Sequence, residues 1–99
     1  EAKKDYDKAI EAYQHYLEMY TNAEEGYYGL GRILFFYKND NEAALDNMCK
    51  AYNLYTKMNS PYRVDAEKMI GQIFSKMKGG KSEKRFNEIL KQNNITPIK

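Results

Sequence analysis

Residues 27–51 read YYGLGRILFFYKNDNEAALDNMCKA, and this stretch decides the fold. Its apolar residues recur every three or four positions on both sides of the polar run Lys38–Asn41, as they do in amphipathic helices. Asn and Asp side chains in such a run compete for backbone hydrogen bonds and favour a tight turn. Because a short turn makes neighbouring helices antiparallel, the stretch predicts a helical hairpin.

The helical spacing continues in both directions from this hairpin. It predicts five helices, over about residues 3–20, 23–38, 41–58, 61–78 and 81–93. Ser60-Pro61 marks the start of the fourth helix, with Ser as N-cap and Pro at the first helical position, and Gly79-Gly80 marks its end. No segment of strand length alternates with period two. The sequence therefore predicts an all-α fold.

Composition limits the classes of protein to consider. The 99 residues are 42% hydrophobic and 30% charged, which fits one small folded domain. No apolar run approaches the eighteen or so residues of a membrane span. Cys49 is the single cysteine, which excludes an internal disulfide and favours a cytoplasmic location, although a periplasmic one stays open. Because the chain begins at Glu1 and not at Met, we expect it to be a piece of a longer protein.

A short spacing pattern recurs along the chain. Its three positions are Ala9, Tyr13 and Tyr16, then Ala44, Met48 and Ala51, and then Ser82, Phe86 and Ile89. Between these sets, Leu30-Gly31 is echoed by Ile70-Gly71. We expect the small residues of the pattern, among them Gly31, Ala44 and Gly71, to lie where two helix backbones approach closely.

At these residues the chain resembles the tetratricopeptide repeat family. The first helix of that repeat carries an aromatic residue, Leu-Gly and a second aromatic residue, and Tyr27, Leu30-Gly31 and the apolar Leu34 are similar to it. The second helix carries Ala, an aromatic residue and Ala, where this chain has Ala44, Met48 and Ala51. The resemblance implies antiparallel helical hairpins stacked as a right-handed α-α superhelix.

The resemblance also implies how the chain is divided. A repeat domain over residues 1–93 is followed by a flexible tail over residues 94–99. Within the domain, residues 1–21 form the second helix of a truncated repeat, residues 22–58 a complete repeat and residues 60–93 a degenerate one. The first helix then lacks its hairpin partner. Its apolar stripe must be covered by the second helix, by a second copy of the chain or by another part of the parent protein, and we expect weak self-association.

Few residues are suited to catalysis or metal binding. With one histidine, His15, and one cysteine, neither a metal cluster nor a nucleophile–base pair can be assembled from the usual ligands. The run Gly79–Ser82 ends like a phosphate-binding P-loop, but Ser75 stands where that motif needs glycine, and helices rather than a strand surround it. The sequence therefore predicts a protein that is not an enzyme and has no cofactor.

The expected function is a non-catalytic scaffold for protein–protein interaction. The resemblance implies that a peptide or helix of a partner binds on the concave face, which the first helices of the repeats line, here the second and fourth. The predicted site residues on these helices are Tyr28, Arg32, Phe35, Phe36, Lys68, Gln72 and Lys76. Met69 is likewise expected to lie off the core stripe, beside Lys68. An alternative for Phe35 and Phe36 is packing between the helices. Some family members bind acidic chaperone peptides through asparagines where this chain has Gly29 and Met69, so that specificity is not transferred.

The C-terminal part of the chain is basic and supports an alternative function. From Lys76 onward there are seven Lys and Arg residues against Glu83 and Glu88. The chain also has ten tyrosines, of which Tyr28 and Tyr62 do not follow the core stripe well. Basic charge with aromatic rings leaves a module that binds RNA or another polyanion as the alternative. Most of the tyrosines lie at packing positions, so nucleic acid is the less expected partner.

Overall fold

The computed structural model describes the backbone of residues 2–95 and the side chains of residues 5–95. It contains the helices α1 (Ala2–Met19), α2 (Glu24–Phe36), α3 (Asn41–Lys57), α4 (Arg63–Met77) and α5 (Gly80–Gln92). Residues 2–95 form no strand, and the predicted all-α fold with five helices is confirmed. Short turns join consecutive helices, which therefore pack as antiparallel hairpins. None of these five helices is both long and apolar enough to cross a membrane.

Helix α3 is the centre of the molecule, because it contacts α2, α4 and α5. Its inward face is fully buried and consists of Ala44, Leu45, Met48, Cys49 and Ala51. Helices α2 and α3 form the middle hairpin of the molecule. In this hairpin Leu30, Leu45 and Met48 are buried, whereas Leu34 is only half-buried. Full burial of a Leu or Met side chain contributes about 1.5–3 kcal/mol. The α3 face is therefore a major source of stability.

Asparagines and an aspartate define where the helices end and begin. Asn39, Asn59 and Asn94 each follow a helix and have φ angles of 55°, 56° and 61°. This left-handed conformation is costly for most residues but is tolerated by Asn, which often ends a helix in this way. Asp40 then caps α3, because its carboxylate accepts a hydrogen bond from Ala43 N at 3.1 Å.

The start of α4 differs from the prediction. The helix begins at Arg63, two residues after Pro61, and Tyr62 occupies the N-cap position. Ser60 Oγ accepts a hydrogen bond from Tyr62 N at 3.1 Å, while Arg63 N donates to Ser60 O at 3.3 Å. Ser60 and Pro61 therefore form a tight turn that leads into the helix rather than its first residues.

Gly31 and Gly71 occupy equivalent positions in the sequence pattern but differ in packing. A Cβ atom on Gly31 would lie 2.9 Å from Met48 Cε and 3.2 Å from the carbonyl oxygen of Ala44, so α2 and α3 approach closely there. A Cβ atom on Gly71 would meet nothing within 4 Å. The prediction that Gly71 marks a second close approach is wrong. The reason is that α5 lies largely against α3 and makes a smaller contact with α4.

Polar side chains fix α5 on α3. Asn93 Nδ2 donates to Asp46 Oδ1 at 3.0 Å and to Ile89 O at 2.9 Å, and Asn53 Nδ2 donates to Asn93 O at 2.7 Å. Burial disfavours the charged form of Asp46, but hydrogen bonds from Asn93 and Lys50 outweigh it and hold the pKa of this carboxyl below its ordinary value. The half-buried Asp46 is therefore part of the fold and not a free surface charge.

The end of α5 differs from the predicted tail. Ile95 N donates to Leu90 O at 2.9 Å, and the Ile95 side chain packs against the core. Asn94 and Ile95 therefore end α5, since an apolar residue that follows a left-handed Asn commonly packs against the last turn of the helix. Residues 96–99, the rest of the predicted tail, lie outside the described residues.

Candidate functional site

Helices α2 and α4 lie side by side, and each also packs on α3. Because α3 runs back between them, α2 and α4 point in the same direction along the groove that they form. We call this surface the α2–α4 groove. Glu24 and Glu25 occupy the first turn of α2 and Asp65 the first turn of α4, whereas Lys76 lies in the last turn of α4. Arg63 also lies in the first turn of α4, so the net charge is negative at this end of the groove, the acidic end, and positive at the other, the basic end.

A cleft of about 440 Å³ opens at the basic end of the groove. It brings together four of the predicted site residues, namely Phe35, Phe36, Gln72 and Lys76. The aromatic rings supply an apolar wall, and the Gln72 amide and Lys76 ammonium supply hydrogen-bond donors. A few polar groups beside an apolar wall are typical of a binding pocket, and the volume lies within the usual range of about 300–1,000 Å³.

Phe35 packs in the core, whereas Phe36 lies in the groove, so each of the two interpretations holds for one of these residues. Phe35 is 7% exposed and belongs to the core, whereas Phe36 is 44% exposed. Their rings meet edge to face, with centroids 5.0 Å apart. Phe35 therefore holds the Phe36 ring in place at the cleft, and Phe36 is the ring that a ligand can reach.

Arg32 lies exposed between two aromatic rings of its own helix. Its guanidinium carbon is 6.0 Å from the Tyr28 ring centroid and 5.5 Å from that of Phe36, one helical turn away on either side. It forms no ion pair with any described carboxylate. Aromatic contact orders the guanidinium while leaving its N–H groups free to donate. Arg32 is thus positioned to bind a carboxylate or a peptide carbonyl group.

Lys68 and Met69 of α4 do not line the cleft. Lys68 is exposed but does not line the cleft at the basic end. Met69 is 4% exposed and packs in the core, so it is not a groove residue. The expectation that Met69 lies off the core stripe is wrong, because the apolar stripe of α4 is wide enough to include it beside Ile70 and Ile73.

Three residues of the cleft were not predicted, namely Asn39, Asn41 and Ser75. The sequence assigns Asn39 and Asn41 to the α2–α3 turn, but that turn ends at the rim of the cleft, so their amides join the lining. Ser75 lies three residues after Gln72 and therefore on the same face of α4. This spacing is a signal from which Ser75 could have been found.

Three tyrosines gather at the acidic end of the groove. Tyr55 of α3 lies between Tyr28 and Tyr62, with ring centroids 6.2 Å and 5.9 Å from its own. Tyr55 is 5% exposed, whereas Tyr62 is 61% exposed. Burial and then the nearby carboxylates of Glu24 and Glu25 raise the pKa of Tyr55 to about 12. The sequence places Tyr28 and Tyr62 off the core stripe, but the contact of both with Tyr55 depends on how three helices pack.

The other residues of chemical interest are the cysteine, the histidine and the P-loop-like run. Among the described side chains, no group of three His, Cys, Asp or Glu residues is arranged to hold a metal ion. Cys49 is fully buried, and burial raises the pKa of its thiol to about 12, so the thiol is protonated near neutral pH. His15 is exposed on α1, 3.7 Å from Glu18. At the P-loop-like run, Gly79 N donates to Glu83 Oε1 at 2.8 Å, so a carboxylate of the chain already satisfies that amide.

A larger cleft of about 630 Å³ lies outside the groove, between α1 and the start of α2. Its lining includes the small residues Ala9 and Ala12 and the rings of Tyr13 and Tyr16. It lacks lysine and arginine, and its one charged residue is Glu25. Size alone does not make it the better binding site, because it offers fewer groups that orient a ligand.

No protein-family model, no curated protein and no solved structure matches this chain at a significant level. The likeness to tetratricopeptide repeats therefore rests on the residue pattern described above.

Proposed function

We propose that this chain is a non-catalytic protein-interaction domain that binds a peptide or helix of a partner protein in the α2–α4 groove. One observation carries the proposal. The cleft at the basic end combines the exposed ring of Phe36 with the Lys76 ammonium and the Gln72 amide, and Arg32 extends it along α2. Exposed aromatic and arginine side chains at the centre of a surface are the usual anchors of protein interfaces.

The sequence resemblance supports the same surface. In tetratricopeptide repeats the first helices of the repeats line the binding face, and the corresponding helices here are α2 and α4. We therefore propose that the chain is a tetratricopeptide-like interaction module.

The chemistry of the basic end favours an acidic or neutral group of the ligand there. Arg32 donates through a planar fork that matches a carboxylate or two carbonyl groups. Lys76 adds a positive charge across the cleft, and Asn39 and Asn41 add amides that both donate and accept. An apolar side chain of the ligand would lie against Phe36.

The experiment begins with a partner, captured from native extract and narrowed to a binding peptide. The dissociation constant of that peptide is then compared for the native chain, Arg32→Ala and Lys91→Ala by calorimetric titration. Both substitutions remove one positive charge from an exposed position, but Lys91 lies on α5, away from the groove. We expect Arg32→Ala to weaken binding about thirtyfold and Lys91→Ala about twofold or less.

The control substitution must leave the packing of the helices unchanged. Asp46 would be a poor control, since its carboxylate joins α3 to α5 through Asn93. Circular dichroism should give the same helix content for both variants. Equal binding by two folded variants would remove the groove assignment.

Binding of RNA through the basic C-terminal part is the alternative. In its favour, Lys78, Lys81 and Lys84 are exposed and form no ion pair with any described side chain, although Arg85 is bound to Glu42 at 2.9 Å. Titration with single-stranded RNA at low and moderate salt separates the two functions. Binding that falls steeply with salt would favour the alternative, and no binding at low salt would remove it.

A further inference from the structure

One side of α1 combines small residues with a row of charges, and no other described helix covers it. Ala12 is exposed and lines two open clefts, one on each side of it. The cleft of about 630 Å³ between α1 and the start of α2 lies on the first side. The second cleft is lined by a row of exposed residues, namely Lys8, Glu11, His15 and Glu18. Because α1 contacts α2 alone among the helices, this side of α1 is open to a partner.

The cleft between α1 and α2 has room for a large side chain. Ala9 and Ala12 line it with only a methyl group each, and the ring of Tyr16 stands beside them, 43% exposed. Neighbouring helices pack most closely when a large residue of one lies over small residues of the other. A helix that brings one ring to two alanines would therefore fill the cleft, and α1 of a second copy is such a helix.

The charges of α1 determine the direction in which a second α1 would run. Two helices related by a two-fold axis are antiparallel and bring the same flank of each copy together. If Tyr13 of each copy lies opposite Tyr13 of the other, Lys8 of one copy lies opposite Glu18 of the second. Glu11 then lies opposite His15, whose imidazole carries an N–H group in either protonation state and can donate to that carboxylate. Within the copy, Lys8 and Glu11 form no ion pair with any described side chain.

A parallel arrangement is disfavoured by the same residues. It would set Lys8 against Lys8, Glu11 against Glu11 and Glu18 against Glu18 of the second copy. Like charges at such distances repel each other. The order of charges along α1 is therefore complementary to itself only when it is reversed.

The register that pairs the charges also fits the cleft. With Tyr13 at the centre, Tyr16 of one copy lies opposite residue 10 of the second copy, between its Ala9 and Ala12. At a helical rise of about 1.5 Å per residue, both alanines are within about 3 Å of that point along the axis. The positions of the charges and the positions of the small residues thus give the same alignment.

We propose that two copies of this chain associate through antiparallel α1 helices, with Tyr16 of each copy packed on Ala9 and Ala12 of the other and Lys8 paired with Glu18. Since only one helix of 18 residues takes part in each copy, the interface is small and the association is weak. The pairing does not depend on the proposed function. It leaves the α2–α4 groove open, so a dimer presents two grooves and gains avidity for a partner with two binding segments.

The first test changes the charges of α1. Dissociation constants of the dimer are measured by sedimentation equilibrium for the native chain, Lys8→Glu and Lys84→Glu, which makes the same change at an exposed position of α5. We expect Lys8→Glu to weaken dimerisation about tenfold, because the new carboxylate faces Glu18 at two symmetry-related places. Lys84→Glu should change it by about twofold or less. Circular dichroism should give the same helix content for the three proteins.

The double variant Lys8→Glu/Glu18→Lys tests the direction of the helices. It restores opposite charges only in the antiparallel register, so its dissociation constant should return to within about twofold of the native value. A double variant as weak as Lys8→Glu, or a Lys8→Glu variant as tight as the native chain, would overturn the register. A native chain that is monomeric at the highest concentration reached would overturn the pairing itself.

The second test detects the contact directly. Isotope-labelled and unlabelled chains are mixed in equal amounts, and isotope-filtered nuclear Overhauser effects between the two kinds of chain are recorded. We expect effects from the Tyr16 ring of one chain to the methyl groups of Ala9 and Ala12 of the other. Self-association without these intermolecular effects would show that the copies meet through another surface and would overturn the proposal.

Discussion

Leu30 is the residue at which the packing of the middle hairpin can be tested most directly. It is 3% exposed, so Leu30→Ala would leave a cavity as well as removing buried methyl groups. We expect the free energy of unfolding in urea to fall by about 2–5 kcal/mol. Val64→Ala, at an exposed position of α4, is the control and should change it by about 0.5 kcal/mol or less. Unfolding curves that coincide for Leu30→Ala and the native chain would mean that the packing face is wrong.

Tyr55 should make stability depend on alkaline pH. Its pKa is raised to about 12, above the ordinary value of 10.0, so the folded chain holds the phenol proton more tightly than the unfolded chain does. This contribution is complete below pH 10 and is lost as the pH rises towards 12. Urea unfolding of the native chain and of Tyr55→Phe at several pH values between neutrality and 12 measures it, and parallel losses in both proteins would contradict it.

Residue by residue, the sequence could not have distinguished Phe35 from Phe36. Both are apolar neighbours on one helix, and periodicity places the apolar stripe only to within about one position. Which ring turns inwards depends on α3 and α4, whose buried residues form one core cluster with Phe35. The same reason explains why Met69 was misplaced whereas Arg32, Gln72 and Lys76, being polar, were correctly expected at the surface.

At the scale of the helices, Gly31 and Gly71 offer a matched comparison. Gly31→Ala places a methyl group 2.9 Å from Met48 Cε and 3.2 Å from the carbonyl oxygen of Ala44, so the buried Met48 side chain must shift and the α3 backbone must give by a few tenths of an ångström. Gly71→Ala has open space and removes the conformational freedom of a glycine inside a helix. We expect the melting temperature to fall for Gly31→Ala and to rise for Gly71→Ala. For Gly71→Ala, the free energy of unfolding should increase by about 0.5–1 kcal/mol. The same direction of change in both variants would contradict the packing described.

The existence of each helix followed from the sequence, but the partner of each helix did not. Apolar residues at helical spacing mark the inward face, and breakers such as Gly79 mark the ends. Contacts between helices distant in the chain have no such signal. Asn93 reads as a helix-ending residue, and nothing near it in sequence predicts its bond to Asp46, 47 residues away. For this reason the place of α5 beside α3 could only be learned from the structure.

For the molecule as a whole, the cleft on α1 makes the predicted self-association testable. Ala12 lines that cleft and is exposed, so Ala12→Arg should block a second copy without disturbing the fold. Gln14→Arg adds the same charge on α1 outside the cleft and is the control. We expect sedimentation at several concentrations to show weak association of the native chain and of Gln14→Arg, and none of Ala12→Arg. A native chain that stays monomeric at high concentration would remove the prediction.

Among the helices, α1 contacts α2 alone, and it is also held by the turn that follows α2. Beyond its apolar stripe, the attachment includes the stacked rings of Tyr6 and Tyr37, with centroids 4.0 Å apart, and the bond from Lys38 Nζ to Asp7 at 2.8 Å. Partial opening that releases α1 therefore leaves every contact of α3 intact. Amide protons of α1 should exchange with deuterium long before those of α3, and at a rate set by this opening rather than by global unfolding. Uniform protection of the two helices would mean that the molecule opens as a single cooperative unit.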